Sequence, residues 1–152
     1  MSYLGSGILN IVTKAIADIG LKITHQRIVV YQAILMTDKH PTAEQIFDII
    51  KEKNPSISLA TVYKTLETFV ENRLINKVST PQGTMRYDAR TDNHNHIYIS
   101  NTNEILDYED EELSKILMNY LNKKQFSNLS ITDFKLQIKG EKINPKKGIS
   151  IT

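Results

Sequence analysis

Residues 58–69 read Ser58-Leu59-Ala60-Thr61-Val62-Tyr63-Lys64-Thr65-Leu66-Glu67-Thr68-Phe69. Leu59, Val62, Leu66 and Phe69 recur at i, i+3, i+7 and i+10, the stripe of an α-helix with one buried face. Ser58 stands where a helix wants an N-cap oxygen to accept an amide of the first turn. The spacing predicts a helix over residues 59–72. That stripe leaves Ala60, Thr61, Tyr63, Lys64 and Glu67 facing outward. Just upstream, Asn54-Pro55 breaks a preceding helix. Pro41-Thr42 opens that helix, and Thr42 with Gln45 has the spacing of a capping box. Ala43, Ile46, Phe47 and Ile50 form its inner face. Further upstream, Thr24 can cap a helix over 25–37 with Ile28, Tyr31 and Leu35 inward. Residues 6–19 carry an earlier stripe of Ile8, Ile11, Val12, Ala15, Ile16 and Ile19, stopped by Gly20. Downstream, residues 74–78 and 84–88 flank the turn 79–83 and form a hairpin. Packed helices followed by a two-stranded hairpin have the order of a winged helix-turn-helix. A plain helical domain with an attached hairpin has the same order.

After residue 91 the composition changes. Residues 94–99 and 104–108 read as strands joined by the turn 100–103. Residues 109–124 read as a helix with the stripe Leu113, Ile116, Leu117, Tyr120 and Leu121. Acids at its start and Lys123-Lys124 at its end suit the helix dipole. Phe134, Leu136 and Ile138 alternate with polar residues in a last strand, and the polar tail from Glu141 is expected to be loose. The fold class is therefore α+β. Residues 1–91 form an N-terminal helical unit and residues 92–152 a small α/β unit. So small a unit buries little apolar surface alone, and dimerisation would remedy that.

The 152 residues hold 40% hydrophobic and 24% charged side chains, as expected of a folded globular chain. Nineteen basic and seventeen acidic residues leave a net charge of +2, which excludes a blanket polyanion binder but not a local basic face. Without cysteine there is no disulfide, thiolate zinc site or cysteine nucleophile. No apolar run approaches the roughly 20 residues of a membrane span. Met1-Ser2-Tyr3-Leu4-Gly5 lacks the start of a signal peptide. The expectation is a cytoplasmic protein with no membrane partner.

Candidate chemistry gathers on histidines and aspartates. His94 and His96 are two apart on a predicted strand and so share a face. Asp107 lies on the partner strand, and Asp88 ends the preceding hairpin. Imidazoles with carboxylates suit iron, zinc, copper, nickel or manganese. An exposed pair of histidines in a polar loop fits the same spacing. His40 precedes Pro41 in a loop and on its own reads as a surface histidine. His25, in the first turn of its helix, has no expected metal role. On the outer face of the 59–72 helix, Ala60 and Thr61 could meet thymine methyls, Tyr63 offers a ring and a hydroxyl, and Lys64 could meet phosphate or guanine. A solvated helix face remains the alternative. Arg27, Arg73, Lys77, Arg86 and Arg90 are candidate phosphate contacts.

These stretches resemble the ferric uptake regulator (Fur) family. The resemblance lies in residues 21–27 (Leu-Lys-Ile-Thr-His-Gln-Arg), His40-Pro41-Thr42-Ala43, residues 58–66, Tyr87-Asp88, His94-Asn95-His96 and Glu104-Ile105-Leu106-Asp107. Order and spacing hold over residues 6–140. The resemblance implies a homodimeric, metal-dependent repressor that binds double-stranded operator DNA. It implies a winged-helix half followed by a dimerisation half. It further implies a regulatory site of His40, Asp88, His94, His96 and Asp107 holding Fe2+ or Mn2+, with Zn2+ possible in vitro. The aspartates at 88 and 107 resemble the peroxide-sensing branch of the family (PerR) more than the iron-sensing branch, which usually has glutamates there. That branch senses hydrogen peroxide by iron-catalysed oxidation of a histidine ligand, at positions matching His40 and His94.

Two departures stand out. The family commonly carries two Cys-x-x-Cys pairs for a structural zinc. Here Ile99 and Thr102 occupy the first pair's places and residues 141–145 the second's. No structural zinc of that kind is expected, and packing of Ile97, Ile99, Leu136 and Ile138 is the expected fastening. His25 stands where the family usually has proline, a tolerable change at a helix start. Two other functions stay open: an iron- or manganese-responsive repressor without peroxide chemistry, and, remotely, a small metallohydrolase. The latter needs an open coordination position and a general base.

Overall fold

The computed structural model describes residues 2–37 and 40–151, so Met1, Asp38, Lys39 and Thr152, including the two ends of the expected units, lie outside it. The fold is α+β. Two compact units divide the chain between Thr91 and Asp92.

The first unit contains α1 (Ser2–Asp18), α2 (His25–Leu35), α3 (Ala43–Ile50) and α4 (Leu59–Glu71), then β1 (Asn76–Ser79) and β2 (Met85–Asp88). The caps form as the sequence predicts. Thr24 accepts from Arg27 N and Ser58 from Thr61 N, and the Thr42–Gln45 capping box is complete. Val12, Ile16, Val30, Ile46, Val62, Leu66 and Phe69 are fully buried in one core, with Tyr31, Ile34 and Tyr87 beside them. α2 departs from expectation. It ends at Leu35, which is exposed, while Val30, Ala33 and Ile34 turn inward with Tyr31. Ile11 also lies outside the core. β1 begins at Asn76 rather than Leu74, because Leu74 and Ile75 are consumed by the core.

Two helix ends close in the same way, with different residues. Gly20 N reaches Ala17 O and Leu21 N reaches Ile16 O, with Gly20 at φ 80°. After α4, Arg73 N reaches Val70 O and Leu74 N reaches Phe69 O, with Arg73 at φ 60°. Glycine takes this left-handed position without strain and arginine does not. Arg73→Gly is expected to raise stability by about 1 kcal/mol despite glycine's larger chain entropy, as read by urea denaturation. A loss of stability would mean that the arginine side chain contributes more than its backbone costs.

The second unit contains β3 (Asn95–Ile99), β4 (Glu104–Tyr108), α5 (Glu111–Lys123) and β5 (Gln137–Gly140). β3 is central, antiparallel to β4 and parallel to β5. Tyr98 is buried and donates to Asn103, whose left-handed backbone (φ 58°) makes the β3–β4 turn. Asp110 caps α5 by accepting from Leu113 N, and that bond first, with the Tyr108 hydroxyl second, holds its carboxyl below the usual range. No α5 residue is fully buried, and Ile116 and Tyr120 are 57% and 56% exposed.

The expected apolar fastening is present in part. Ile97 faces Ile138 in register and Ile99 is buried, with Leu136 half-buried. The tail is not loose where it leaves β5. Ser100 N donates to Gly140 O. The Asn101 side chain brackets Lys142, donating to its carbonyl at 2.9 Å and accepting from its amide at 3.0 Å. Lys142 Nζ donates to Glu104 at 2.7 Å. This polar clamp ties the β3–β4 turn to the chain after β5. Asn101→Ala removes two hydrogen bonds and is expected to cost about 1–2 kcal/mol in thermal or urea denaturation. An unchanged midpoint would leave apolar packing as the fastening.

Candidate metal centre

The first unit supplies one histidine–aspartate pair. His40 sits in the loop entering α3. Strand β2 is stitched to that loop, because Tyr87 N donates to Pro41 O at 2.9 Å and Arg86 Nη1 to His40 O at 3.1 Å. The stitch sets the buried Asp88, at the end of β2, beside the buried His40, with Nε2 to Oδ2 at 3.2 Å. The other Asp88 oxygen accepts from Arg90 N at 2.9 Å. The carboxylate is thus oriented by main chain before it meets the imidazole.

The second unit supplies a tighter group. His96 and Asp107 are direct cross-strand partners in the β3–β4 ladder. His94, just before β3, shares the face of His96, and the two ring centroids are 4.5 Å apart. Both Nε2 atoms converge on one oxygen, Asp107 Oδ1, at 3.1 Å from His94 and 3.3 Å from His96. Both imidazoles are buried, while the aspartate side chain is 36% exposed.

The His94 tautomer follows from its other neighbour. Its Nδ1 lies 2.7 Å from Asp92 O. A carbonyl only accepts, so Nδ1 carries the proton and neutral His94 presents a lone pair at Nε2. A lone pair 3.1 Å from a carboxylate oxygen needs a proton or a cation between the two. An imidazole tethered at Nδ1 to a carbonyl is the usual preparation of a metal-ligating histidine. The nitrogen and oxygen donors suit iron, manganese or zinc.

The nucleic-acid candidates lie mostly on α4. Ala60, Tyr63 and Lys64 are exposed and Thr61 is half-buried. The Thr61 hydroxyl is turned back to Ser58 at 2.9 Å, within the cap. Tyr63 Oη donates to Glu44, a residue of α3 that is not among the sequence candidates. Nothing local signals this bond between residues 19 positions apart. Arg27 Nη1 donates to Lys22 O at 2.7 Å, which fixes the α1–α2 turn. Of the weaker candidates, Lys77 pairs with Glu67 and Arg86 holds the His40 loop. His25 Nε2 bonds Asn54 at 3.0 Å, across the helical unit.

A model of the ferric uptake regulator family matches residues 18–138. The chain belongs to the ferric uptake regulator family. The peroxide-responsive repressor PerR of Staphylococcus epidermidis is 30% identical over 97 residues, covering 64% of this chain and 65% of that protein. PerR of Staphylococcus aureus is equally similar. The match thus spans somewhat less than two thirds of these relatives. Among solved structures, Helicobacter pylori Fur is 25% identical with a TM-score of 0.70, over 89% of this chain and 90% of that one. Pseudomonas aeruginosa Fur, solved with manganese, is 22% identical with a TM-score of 0.71, over 88% and 98%. At that identity the second likeness speaks for the fold, and the family fold agrees with the two units found here.

Proposed function

We propose that this member of the ferric uptake regulator family is a homodimeric, metal-dependent repressor that binds operator DNA. His40, Asp88, His94, His96 and Asp107 together hold one divalent ion. The observation that carries this reading is the approach of two buried imidazole nitrogens to one Asp107 oxygen. With donors drawn from both units, occupancy is coupled to their relative arrangement. An effector of this kind acts by favouring one arrangement over others. In the favoured one, the outer face of α4 presents Ala60, the Thr61 methyl, Tyr63 and Lys64 to the major groove. Arg27 contributes a phosphate contact through the guanidinium N–H groups that do not serve Lys22. The exposed Ile116 and Tyr120 on α5 support pairing through the second unit.

Peroxide sensing is the finer reading, supported by the aspartates at 88 and 107 and by the PerR relatives. Ferrous iron bound there would catalyse transfer of one peroxide oxygen to the His40 or His94 imidazole, a two-electron oxidation of the ring in which the other oxygen leaves as water. Imidazoles altered in this way are poorer ligands, and the repressor is released. A repressor answering to iron or manganese alone is the second reading, favoured by the likeness to a zinc-bound manganese uptake regulator structure with a TM-score of 0.72. A metallohydrolase finds no support in a family of regulators. No helix among the described residues is long and apolar enough to cross a membrane, and we assign the protein to the cytoplasm, where its DNA would be.

Mass spectrometry separates the two sensing readings. Protein loaded with Fe2+ without oxygen and then given dilute peroxide should gain one oxygen on the peptide holding His40 or His94, with none in a Mn2+ control. Unoxidised histidines in iron-loaded protein would leave the metal-responsive reading. Selection from a random duplex library in the presence of Mn2+ tests the shared part. An enriched sequence is expected, with Tyr63→Ala weakening its binding about tenfold and leaving Mn2+ affinity unchanged.

A further inference from the structure

Glu44, in the first turn of α3, and Tyr63, in the second turn of α4, meet at the exposed junction of the two helices. Tyr63 is 40% exposed and Glu44 is exposed as well. A phenol has one hydrogen, and here it is given to the carboxylate. The pair therefore has only acceptor lone pairs to offer, on Tyr63 Oη and on the Glu44 carboxylate, which also accepts from its own amide and from the Thr42 side chain. The bond to Tyr63, more than any other influence, holds the Glu44 carboxyl below its ordinary range, and the same bond raises the Tyr63 phenol. The carboxylate thus stays charged and the phenol stays protonated at neutral pH. The α3 N-terminus also favours a negative charge at Glu44.

A carboxylate on a face meant for DNA is unfavourable beside phosphates. It is useful only where DNA offers a donor. In the major groove those donors are the exocyclic amines, N4 of cytosine and N6 of adenine, whereas guanine N7 and O6 and thymine O4 are acceptors. We propose that Glu44 is a specificity-determining residue that, with Tyr63, forms an acceptor-only reader of an exocyclic amine and rejects guanine and thymine at the base it faces. The inference rests on the reading of α4 as the helix that meets DNA. It assigns Tyr63 an accepting role and makes Glu44 the source of the discrimination.

The test uses the full chain with Mn2+ and a duplex enriched from a random library, followed by fluorescence anisotropy. Each adenine in turn is replaced by purine, which lacks the 6-amino group, and each cytosine by 2-pyrimidinone, which lacks the 4-amino group. Wild type is expected to lose about tenfold in affinity at one such position per half-site. Glu44→Ala should lose that dependence while keeping the others. Glu44→Gln, which keeps the shape and adds a donor, should tolerate guanine there. Because the position is exposed, both variants should fold, which circular dichroism checks. A Glu44→Ala profile identical to wild type at every position would overturn this inference alone. A library from which wild type enriches nothing would overturn the DNA reading and this inference with it.

Discussion

Replacing His96 with alanine is expected to weaken Mn2+ binding at least about 100-fold and to remove metal-dependent DNA binding. His96 is buried, sits opposite Asp107 in the strand ladder and aims Nε2 at the oxygen that His94 also approaches. Losing a group that merely supports a ligand costs 10- to 100-fold, so losing the ligand should cost more. The second unit should still pair with its copy, because β3 keeps its backbone bonds to β4 and β5. Calorimetric Mn2+ titration, anisotropy on an enriched duplex and size-exclusion chromatography read these three quantities. Wild-type Mn2+ affinity in the variant would remove His96 from the site.

Phe69→Ala should be the most damaging change in the first unit, at about 3–5 kcal/mol. Phe69 is fully buried and stacks edge-on against Tyr31, with centroids 5.8 Å apart and planes at 72°. Truncation removes a large apolar surface, leaves a cavity and ends the aromatic contact. Urea denaturation should show a lower midpoint at similar slope. A cost below about 1 kcal/mol would show that the core refills the space.

The parts of this fold that could be read in advance are the local ones. Thr42 and Gln45 are three residues apart, so their capping box is complete within one helical turn. The α4 stripe was legible because polar residues separate Leu59, Val62, Leu66 and Phe69. α2 was not, because Ile28, Val29, Val30, Tyr31, Ala33, Ile34 and Leu35 are almost continuously apolar and no period selects a face. Only packing against α1, α3 and α4 decides that Ile34 goes in and Leu35 stays out. The Asn101–Lys142 clamp joins residues 41 apart across a parallel strand pair, and local pattern holds no trace of it. The same separation of scales applies to the site. His94 and His96 share a face by strand alternation alone, and the 100–103 turn sets Asp107 opposite His96. The tether from His94 Nδ1 to Asp92 O, and the hold of Arg86 on the His40 loop, appear only in three dimensions. Arg86 read as a phosphate contact because a lone arginine in a hairpin does not reveal which way its guanidinium turns.

If a divalent ion held by these histidines and aspartates controls DNA binding, fluorescence anisotropy on an enriched duplex will distinguish wild-type protein with saturating Mn2+ from the same protein with a chelator. Binding about 5- to 150-fold tighter with Mn2+ is expected, the range of ordinary coupling between two sites. Equal affinity in Mn2+ and in chelator would contradict it.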